Sequence, residues 1–271
     1  MECSIPPKYD YTIKNNELFF SYEFNKNLDK FIFSNDLHAI HFGDSYNQDI
    51  VDNIKFPNNL HTLNFGNVFN PKYGISQLKF PTNLHTLRLG VMFDKSLNNV
   101  KLPPFLNSLY FSNYFNQNID FIKFPNTLHT LHLGEFFNQS LDRVILPDSL
   151  HHLHFGCEFN QNIDNVKFPT NLHTIHFGWS FNQNIDKVKF PDNLHTIEFS
   201  NKFNQNIDNV KFPNTLQTIY FGHDFNQNID NVKFPNNSKV IKFYNDFKTK
   251  IKQNIVVVEF NLKFNSFLEK K

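Results

Sequence analysis

The sequence predicts an all-β solenoid of about ten 22-residue coils, with two short strands per coil and capped ends. Three observations carry this prediction. Proline recurs at positions 57, 81, 103, 125, 147, 169, 191, 213 and 235, at one interval of 24 and then seven of 22. A fixed period of this size marks stacked repeats. Inside each period the apolar residues alternate with period two and hold no helical stripe. The chain also has a single alanine, Ala39, so Ala-rich helices are not expected.

Taken from the N-terminus, residues 1–23 read as a cap. They are irregular until Glu17-Leu-Phe-Phe-Ser21, which resembles half a coil. The repeats follow over 24–247, and cap and repeats form one structural domain. A degenerate copy with Ser34 in the proline slot (Phe33–Gly43) opens the series, and a fading copy follows Pro235. The copy Phe181–Gln205, FNQNIDKVKFPDNLHTIEFSNKFNQ, is typical. Val188-Lys189-Phe190 and Ile197-Glu198-Phe199 each alternate and read as half-buried strands. Proline closes the first, because it has no N–H to give to a ladder. Glycine follows the second (Gly43, Gly66, Gly90, Gly134, Gly156, Gly178, Gly222), where a tight corner is expected to use positive φ. Ser112 and Ser200 fill two of these slots.

One coil cannot bury seven apolar side chains alone; stacked coils bury them against identical neighbours. The Phe of F-N-Q then forms a spine (Phe69, Phe93, Phe115, Phe137, Phe159, Phe181, Phe203, Phe225), and the next Asn an amide ladder (Asn116, Asn138, Asn160, Asn182, Asn204, Asn226). Extra residues at Ile50-Val51 and in Asn70–Gly74 are expected to bulge outward. Residues 248–271, with Lys248, Lys250, Lys252, the apolar run Ile255–Val258 and a charged end, read as the C-terminal cap, since open sheet ends need covering.

Composition excludes several classes. With 26 basic against 25 acidic residues, no nucleic-acid partner is expected. No apolar run reaches the eighteen residues of a membrane span, and the first residues lack a signal-peptide core. Cys3 and Cys157 are the two cysteines; they exclude a disulfide scaffold and fit a reducing compartment. A cytoplasmic location is the expectation.

Chemistry-bearing residues are spread one per coil. Histidines form a column (His38, His61, His85, His129, His151, His173, His195), with one local concentration at His151-His152-x-His154 near His132 and His176. A metal site needs a local cluster, and a uniform column reads as a polar repeat position. A lysine row (Lys55, Lys79, Lys101, Lys123, Lys167, Lys189, Lys211, Lys233) runs beside an Asp row three residues earlier, which suggests a solvated ion-pair array. No Ser-His-Asp or Cys-His constellation stands out. The expectation is a non-enzyme with no catalytic residue, cofactor or metal.

The copies disagree at three positions of a fixed frame: the outward residue of the second strand, and the two residues after the glycine corner. Arg88, Met92, Tyr110, Tyr114, His132, Phe136, His154, His176, Trp179 and Tyr220 occupy these slots. Exposed positions drift when nothing restrains them. Variation on a fixed frame is also how a repeat protein acquires a partner, and Tyr, Trp and Arg are common interface anchors. These ten residues are therefore the candidate protein-binding edge.

The motifs Phe-Asn-Gln-Asn-Ile, Val-Lys-Phe-Pro and Asn-Leu-His-Thr-Leu-His-Phe-Gly resemble the FNIP repeat. That family is found in social amoebae and in amoeba-infecting giant DNA viruses such as mimivirus, and is related to leucine-rich repeats. The resemblance implies a leucine-rich-repeat-like β-solenoid and a scaffold for protein–protein interaction, with a partner from the amoebal host and a location in host cytoplasm for a viral protein. Many viral members carry an N-terminal F-box. Here fewer than thirty residues precede the first coil, with two prolines and no helical pattern. The alternative is a substrate-recognition arm of a host ubiquitin ligase, acting without a recognisable F-box.

Overall fold

The computed structural model describes residues 10–49, 54–236, 238 and 240–243. Twelve strands form one sheet in sequence order. β1 (Tyr11–Lys14) and β2 (Glu17–Phe20) make a hairpin. Each following coil adds one strand: β3 (Ala39–His41), β4 (Thr62–Asn64), β5 (Thr86–Arg88), β6 (Ser108–Tyr110), β7 (Thr130–His132), β8 (His152–His154), β9 (Thr174–His176), β10 (Thr196–Glu198), β11 (Thr218–Phe221) and β12 (Val240–Phe243). From β2 onward all pairing is parallel and in register; Ile197 sits between Ile175 and Ile219. Among the described residues there is no helix.

The 22-residue period sets this register. A one-residue slip would turn every apolar side chain out of the core. The core is one continuous cluster. Its centre is the predicted spine, from Phe69 to Phe225, with every ring fully buried. Successive spine rings lie 6.0–6.4 Å apart and within 13° of parallel. Burying each such ring is worth about 1.5–3 kcal/mol.

The Asn ladder is present, with a different bonding pattern from stacked amides. From Asn116 to Asn204 each Oδ1 accepts the backbone N–H of the same slot in the next coil, as in Asn160 accepting from Asn182 at 2.8 Å. It also accepts the following glutamine's Nε2, here Gln183 at 2.9 Å. The side chain thus caps an amide that no strand partner reaches.

Four expectations need correction. First, each coil has one strand in the sheet and not two. Val188-Lys189-Phe190 belongs to no strand and is squeezed between two turns, closed by Val188 N–H to Ile185 O (3.1 Å) and Leu194 N–H to Pro191 O (3.1 Å). It also lies on the wide side of the stack. Rings there repeat at 6.0–6.3 Å (Phe168, Phe190, Phe212, Phe234). Beside the sheet they repeat at 5.0–5.8 Å (Phe155, Phe177, Phe199, Phe221, Phe243). Strand ladders need spacings of about 4.8 Å, so only the inner side forms one. The stack curves toward its sheet, and the sheet lines the concave side.

Second, positive φ is not what most corner glycines supply. Among them only Gly90 has it, at 75°. A Cβ built on Gly43, Gly66, Gly134, Gly156, Gly178 or Gly222 would run into the carbonyl oxygen of the corner one coil earlier. The corners stack backbone on backbone. Third, the described part of the N-terminal segment is regular from Tyr11. Asn15 and Asn16 take φ of 51° and 60°, the left-handed pair that a two-residue hairpin turn needs. Asparagine tolerates that region, so an Asn-Asn turn carries the hairpin without glycine.

Fourth, among the described residues no lysine of the V-K-F row forms an ion pair with an Asp of the neighbouring row. The Asp side chains close local turns instead. Asn184 Oδ1 accepts the Asp186 N–H at 2.8 Å, and Asp186 Oδ2 accepts from Asn184 Nδ2 at 3.3 Å. Asn118–Asp120, Asn162–Asp164 and Asn206–Asp208 repeat the arrangement. Two-residue contact within a turn outcompetes a solvated lysine.

The Asn70–Gly74 insertion does bulge, with Tyr73 exposed. Ile50-Val51 and the 248–271 segment lie outside the described residues.

Candidate functional site

The ten candidate residues occupy two adjacent lanes along the concave side. Arg88, Tyr110, His132, His154, His176 and Tyr220 stand on the outward face of the sheet at one register position of β5–β9 and β11. Met92, Tyr114 and Phe136 sit in the second slot of the corner that follows the strand, and Trp179 in the first.

In-register pairing forces the strand lane to stack on itself. The Arg88 guanidinium lies 3.4 Å from the Tyr110 ring centroid, a cation–π contact. Tyr110 stacks on His132 at 4.4 Å, His132 on His154 at 3.9 Å, and His154 on His176 at 4.4 Å, all within 16° of parallel. His176 Nδ1 then meets Glu198 Oε2 at 2.6 Å. Arg88 to Glu198 is one continuous ribbon, with a cation at one end and a carboxylate at the other. Glu198 belongs to it but was absent from the candidate set; being one residue of a recurring slot, it carried no signal in sequence that it would cap the imidazole stack. Tyr220 and Lys242 extend the lane through a second cation–π contact of 5.1 Å. At the other end Phe19 stacks on His41, whose Nδ1 accepts from Asn64 Nδ2 at 2.8 Å.

Burial first, and then the nearby Arg88 charge, push the His132 imidazole down to about 4. Burial likewise holds His154 down to about 3, with His132 and His176 adding repulsion against a proton. His152 and His41 are lowered by burial too, and Glu17 partly offsets this at His41. At neutral pH the centre of the ribbon is an uncharged aromatic surface.

The corner lane is more exposed. Val68, Met92, Tyr114 and Phe136, in four successive coils, are 43%, 42%, 47% and 38% exposed, and Trp179 is 50% exposed. Tyr114 stacks on Phe136 at 4.7 Å. Asn113 Nδ2 donates to Glu135 Oε2 at 2.9 Å beside them. Cys157 follows in the first slot; burial and then the Glu135 carboxylate push its thiol up, which makes it a poor nucleophile. Val68 belongs with this lane although the sequence did not single it out.

The second histidine column lies beside the strands. Nδ1 of His85, His129, His151, His173 and His195 is 2.6–2.7 Å from the carbonyl oxygen two residues earlier. A carbonyl only accepts, so Nδ1 carries the proton and Nε2 the lone pair. His129, His151, His173 and His195 stack at 4.8–5.0 Å. Parallel rings keep their lone pairs parallel, and parallel lone pairs cannot converge on one ion. Among the described residues no group of three or more His, Cys, Asp or Glu is arranged to hold a metal ion. No described helix is long and apolar enough to cross a membrane.

Comparison with known proteins gives this geometry a family context. CroV588, from the giant virus CroV and described as a novel circular leucine-rich-repeat protein structure, superposes with a TM-score of 0.72 at 34% identity, over 93% of this chain and 41% of CroV588. The chain therefore spans about two fifths of that relative's length. The pneumococcal vaccine antigen PcpA (12% identity, 86% of this chain and 65% of that one, TM-score 0.29) is far more distant in shape. So is a leucine-rich-repeat protein from Bacteroides ovatus (15% identity, 85% and 80%, TM-score 0.24). No curated protein matches the chain. The model of the BspA-type leucine-rich-repeat region matches in six copies, over residues 15–140, 108–222 and 133–255. With nearly the whole chain covered, this protein belongs to the BspA-type leucine-rich-repeat family.

Proposed function

We propose that the chain is a non-enzymatic scaffold for protein–protein interaction, and that its partner is bound by the variable edge formed by the strand and corner lanes. One observation carries this reading. Side chains that vary from coil to coil are held in register on the concave side, and several are large, apolar and exposed (Met92, Tyr114, Phe136, Trp179). A solvated corner does not require such residues, whereas an interface uses them. Leucine-rich repeats serve as interaction scaffolds, which supports the same reading.

We infer the setting of the protein as well. The repeats are of the FNIP class, the partner comes from an amoebal host, and the protein works in host cytoplasm. Similarity to a giant-virus protein supports that setting. The caps at 1–23 and 248–271 and the solenoid at 24–247 are part of the same reading; the antiparallel β1 supports the first, because it ends the parallel series.

The test is affinity purification with quantitative mass spectrometry from amoebal lysate, comparing wild type with the Tyr110→Ala/Phe136→Ala/Trp179→Ala variant. Loss of one partner from the variant, at unchanged thermal stability, is the expected result. Identical partner sets would remove the edge as the binding surface. Ligase subunits among the lost partners would assign the ubiquitin-ligase role.

A further inference from the structure

We propose that the corner lane Val68–Met92–Tyr114–Phe136 receives a basic amphipathic helix lying along the axis of the solenoid. This rests on the reading of the variable edge as a protein-binding surface and names the chemistry of the partner.

The apolar run is local. Val68, Met92, Tyr114 and Phe136 fill the second corner slot in four consecutive coils and are all exposed. The same slot is polar on both sides of the run, with Ser45 before it and Glu158, Ser180, Lys202 and Asp224 after it. The frame beneath is rigid. Met92 N–H bonds to Asn67 O (2.8 Å), Tyr114 to Val91 O (3.0 Å), Phe136 to Asn113 O (2.8 Å) and Glu158 to Glu135 O (2.9 Å).

Spacing selects the helix. The Tyr114–Phe136 step is 4.7 Å, so three such steps span about 14 Å. A helix presents its apolar ridge once per 5.4 Å turn, about 16 Å over three steps. An extended strand repeats on one face at about 6.8 Å, or about 20 Å over three steps. Four side chains of a helix ridge stay within about 2 Å of the lane, while a strand falls out of step by a whole coil. Strand addition has a further obstacle, because it needs unpaired backbone groups. The corner N–H groups are already spent between coils.

Charge selects a basic face. The two corner slots from Asp44 to Asp224 carry four carboxylates (Asp44, Glu135, Glu158, Asp224) and one lysine (Lys202). Glu135 and Glu158 border Phe136 directly. Lysines or arginines flanking the ridge of the partner helix meet these carboxylates. A second copy of this chain, docked lane to lane, would bring the same carboxylates face to face.

Trp179 is the only tryptophan in the chain, and its emission reports on this edge. Three 18-residue probes are titrated into the full-length protein: a Leu/Lys peptide with leucines at helical spacing, a Leu/Glu peptide of the same pattern, and a strictly alternating Leu-Lys peptide. The Leu/Lys helix is expected to bind, shift the emission to the blue and weaken steeply with salt. Val68→Ser/Met92→Ser/Tyr114→Ser/Phe136→Ser should weaken it at least tenfold, and serine already occupies this slot at Ser45 and Ser180, so the fold tolerates it. Glu135→Gln/Glu158→Gln should weaken it several-fold and flatten the salt dependence. Equal binding of the Leu/Glu peptide, tighter binding of the alternating peptide, or no effect of the serine variant would overturn the proposal. So would dimerisation of the full chain that the serine variant abolishes. Should the lysate partner still depend on Tyr110, Phe136 and Trp179 while no helical probe binds, the helix fails and the interaction edge stands. Failure of both experiments removes both.

Discussion

The imidazoles of His132 and His154 lie face to face, with ring centroids 3.9 Å apart and planes 8° from parallel. Parallel register leaves no alternative, because β7 and β8 pair His132 directly with His154. Each ring covers its neighbour, and each would place a positive charge against the next if protonated. The lowered values, about 4 and about 3, express this arrangement against an unfolded value of 6.5.

A pH dependence follows. Between these folded values and 6.5 the unfolded chain binds more protons than the folded one, so stability falls as the pH falls. The contribution of the stack is complete above pH 6.5 and is lost as the pH drops through 6.5 towards 4 and 3. From pH 7 to pH 5 we expect a loss on the order of 1 kcal/mol per ring, discounted for partial solvent screening. Thermal melts of wild type and His132→Asn/His154→Asn across that range check it. The variant should show the shallower slope; parallel slopes would contradict the assignment.

At the corner, Gly178→Ala should destabilise by about 1–3 kcal/mol, because its Cβ would meet the Gly156 carbonyl oxygen. Ser112 and Ser200 show what accommodation demands: both are buried, and each hydroxyl bonds to a carbonyl of its own coil, Ser112 to Phe93 and Ser200 to Phe181 at 2.6 Å. Gly178→Ser should therefore recover part of the loss relative to Gly178→Ala. Urea titration of both variants reads the difference.

The Asn ladder offers an internal control. Asn160→Ala removes the acceptor of two hydrogen bonds and should cost about 1–2 kcal/mol. Asn160→Asp keeps the acceptor and should be close to neutral. The chain already uses this solution at Asp94, which accepts from Asn116 N–H at 3.1 Å and Gln117 Nε2 at 2.9 Å. Equal stability of the two variants would show that the second-coil amides find water as good a partner.

Tyr46 stands in the spine where later coils have phenylalanine. It is fully buried, burial pushes its phenol well up, and among the described residues its hydroxyl has no hydrogen-bond partner. Tyr46→Phe removes an uncompensated polar atom and should stabilise by about 1 kcal/mol. A lower melting temperature for the variant would reveal a partner for that hydroxyl.

Much of this architecture was legible because the period is written in the chain. The proline spacing, the Phe of F-N-Q and the alternating T-I-E-F strand together predict register, spine and strand row. Edge residues were legible only as slots that vary. Nothing in Arg88, Tyr110, His132, His154 and His176 taken singly announces that they stack, since stacking arises when coils align. Val68 was missed for a related reason: its apolar character gains meaning only beside Met92, Tyr114 and Phe136 in the neighbouring coils.

What the sequence determined by itself is the repeat: its length, its buried positions, and the impossibility of burying one coil without the next. What only the tertiary structure decided is how the coil closes. Alternation in V-K-F matches a strand as well as alternation in T-I-E-F does, and local pattern cannot separate them. Curvature separates them, because coils crowd on the inner side to ladder distance and spread on the outer side beyond it. The same crowding favours glycine at the corners, where neighbouring coils approach backbone on backbone, and presses the imidazoles of the strand lane into a neutral stack. Each of these depends on the distance between neighbouring coils, which no single copy of the repeat contains.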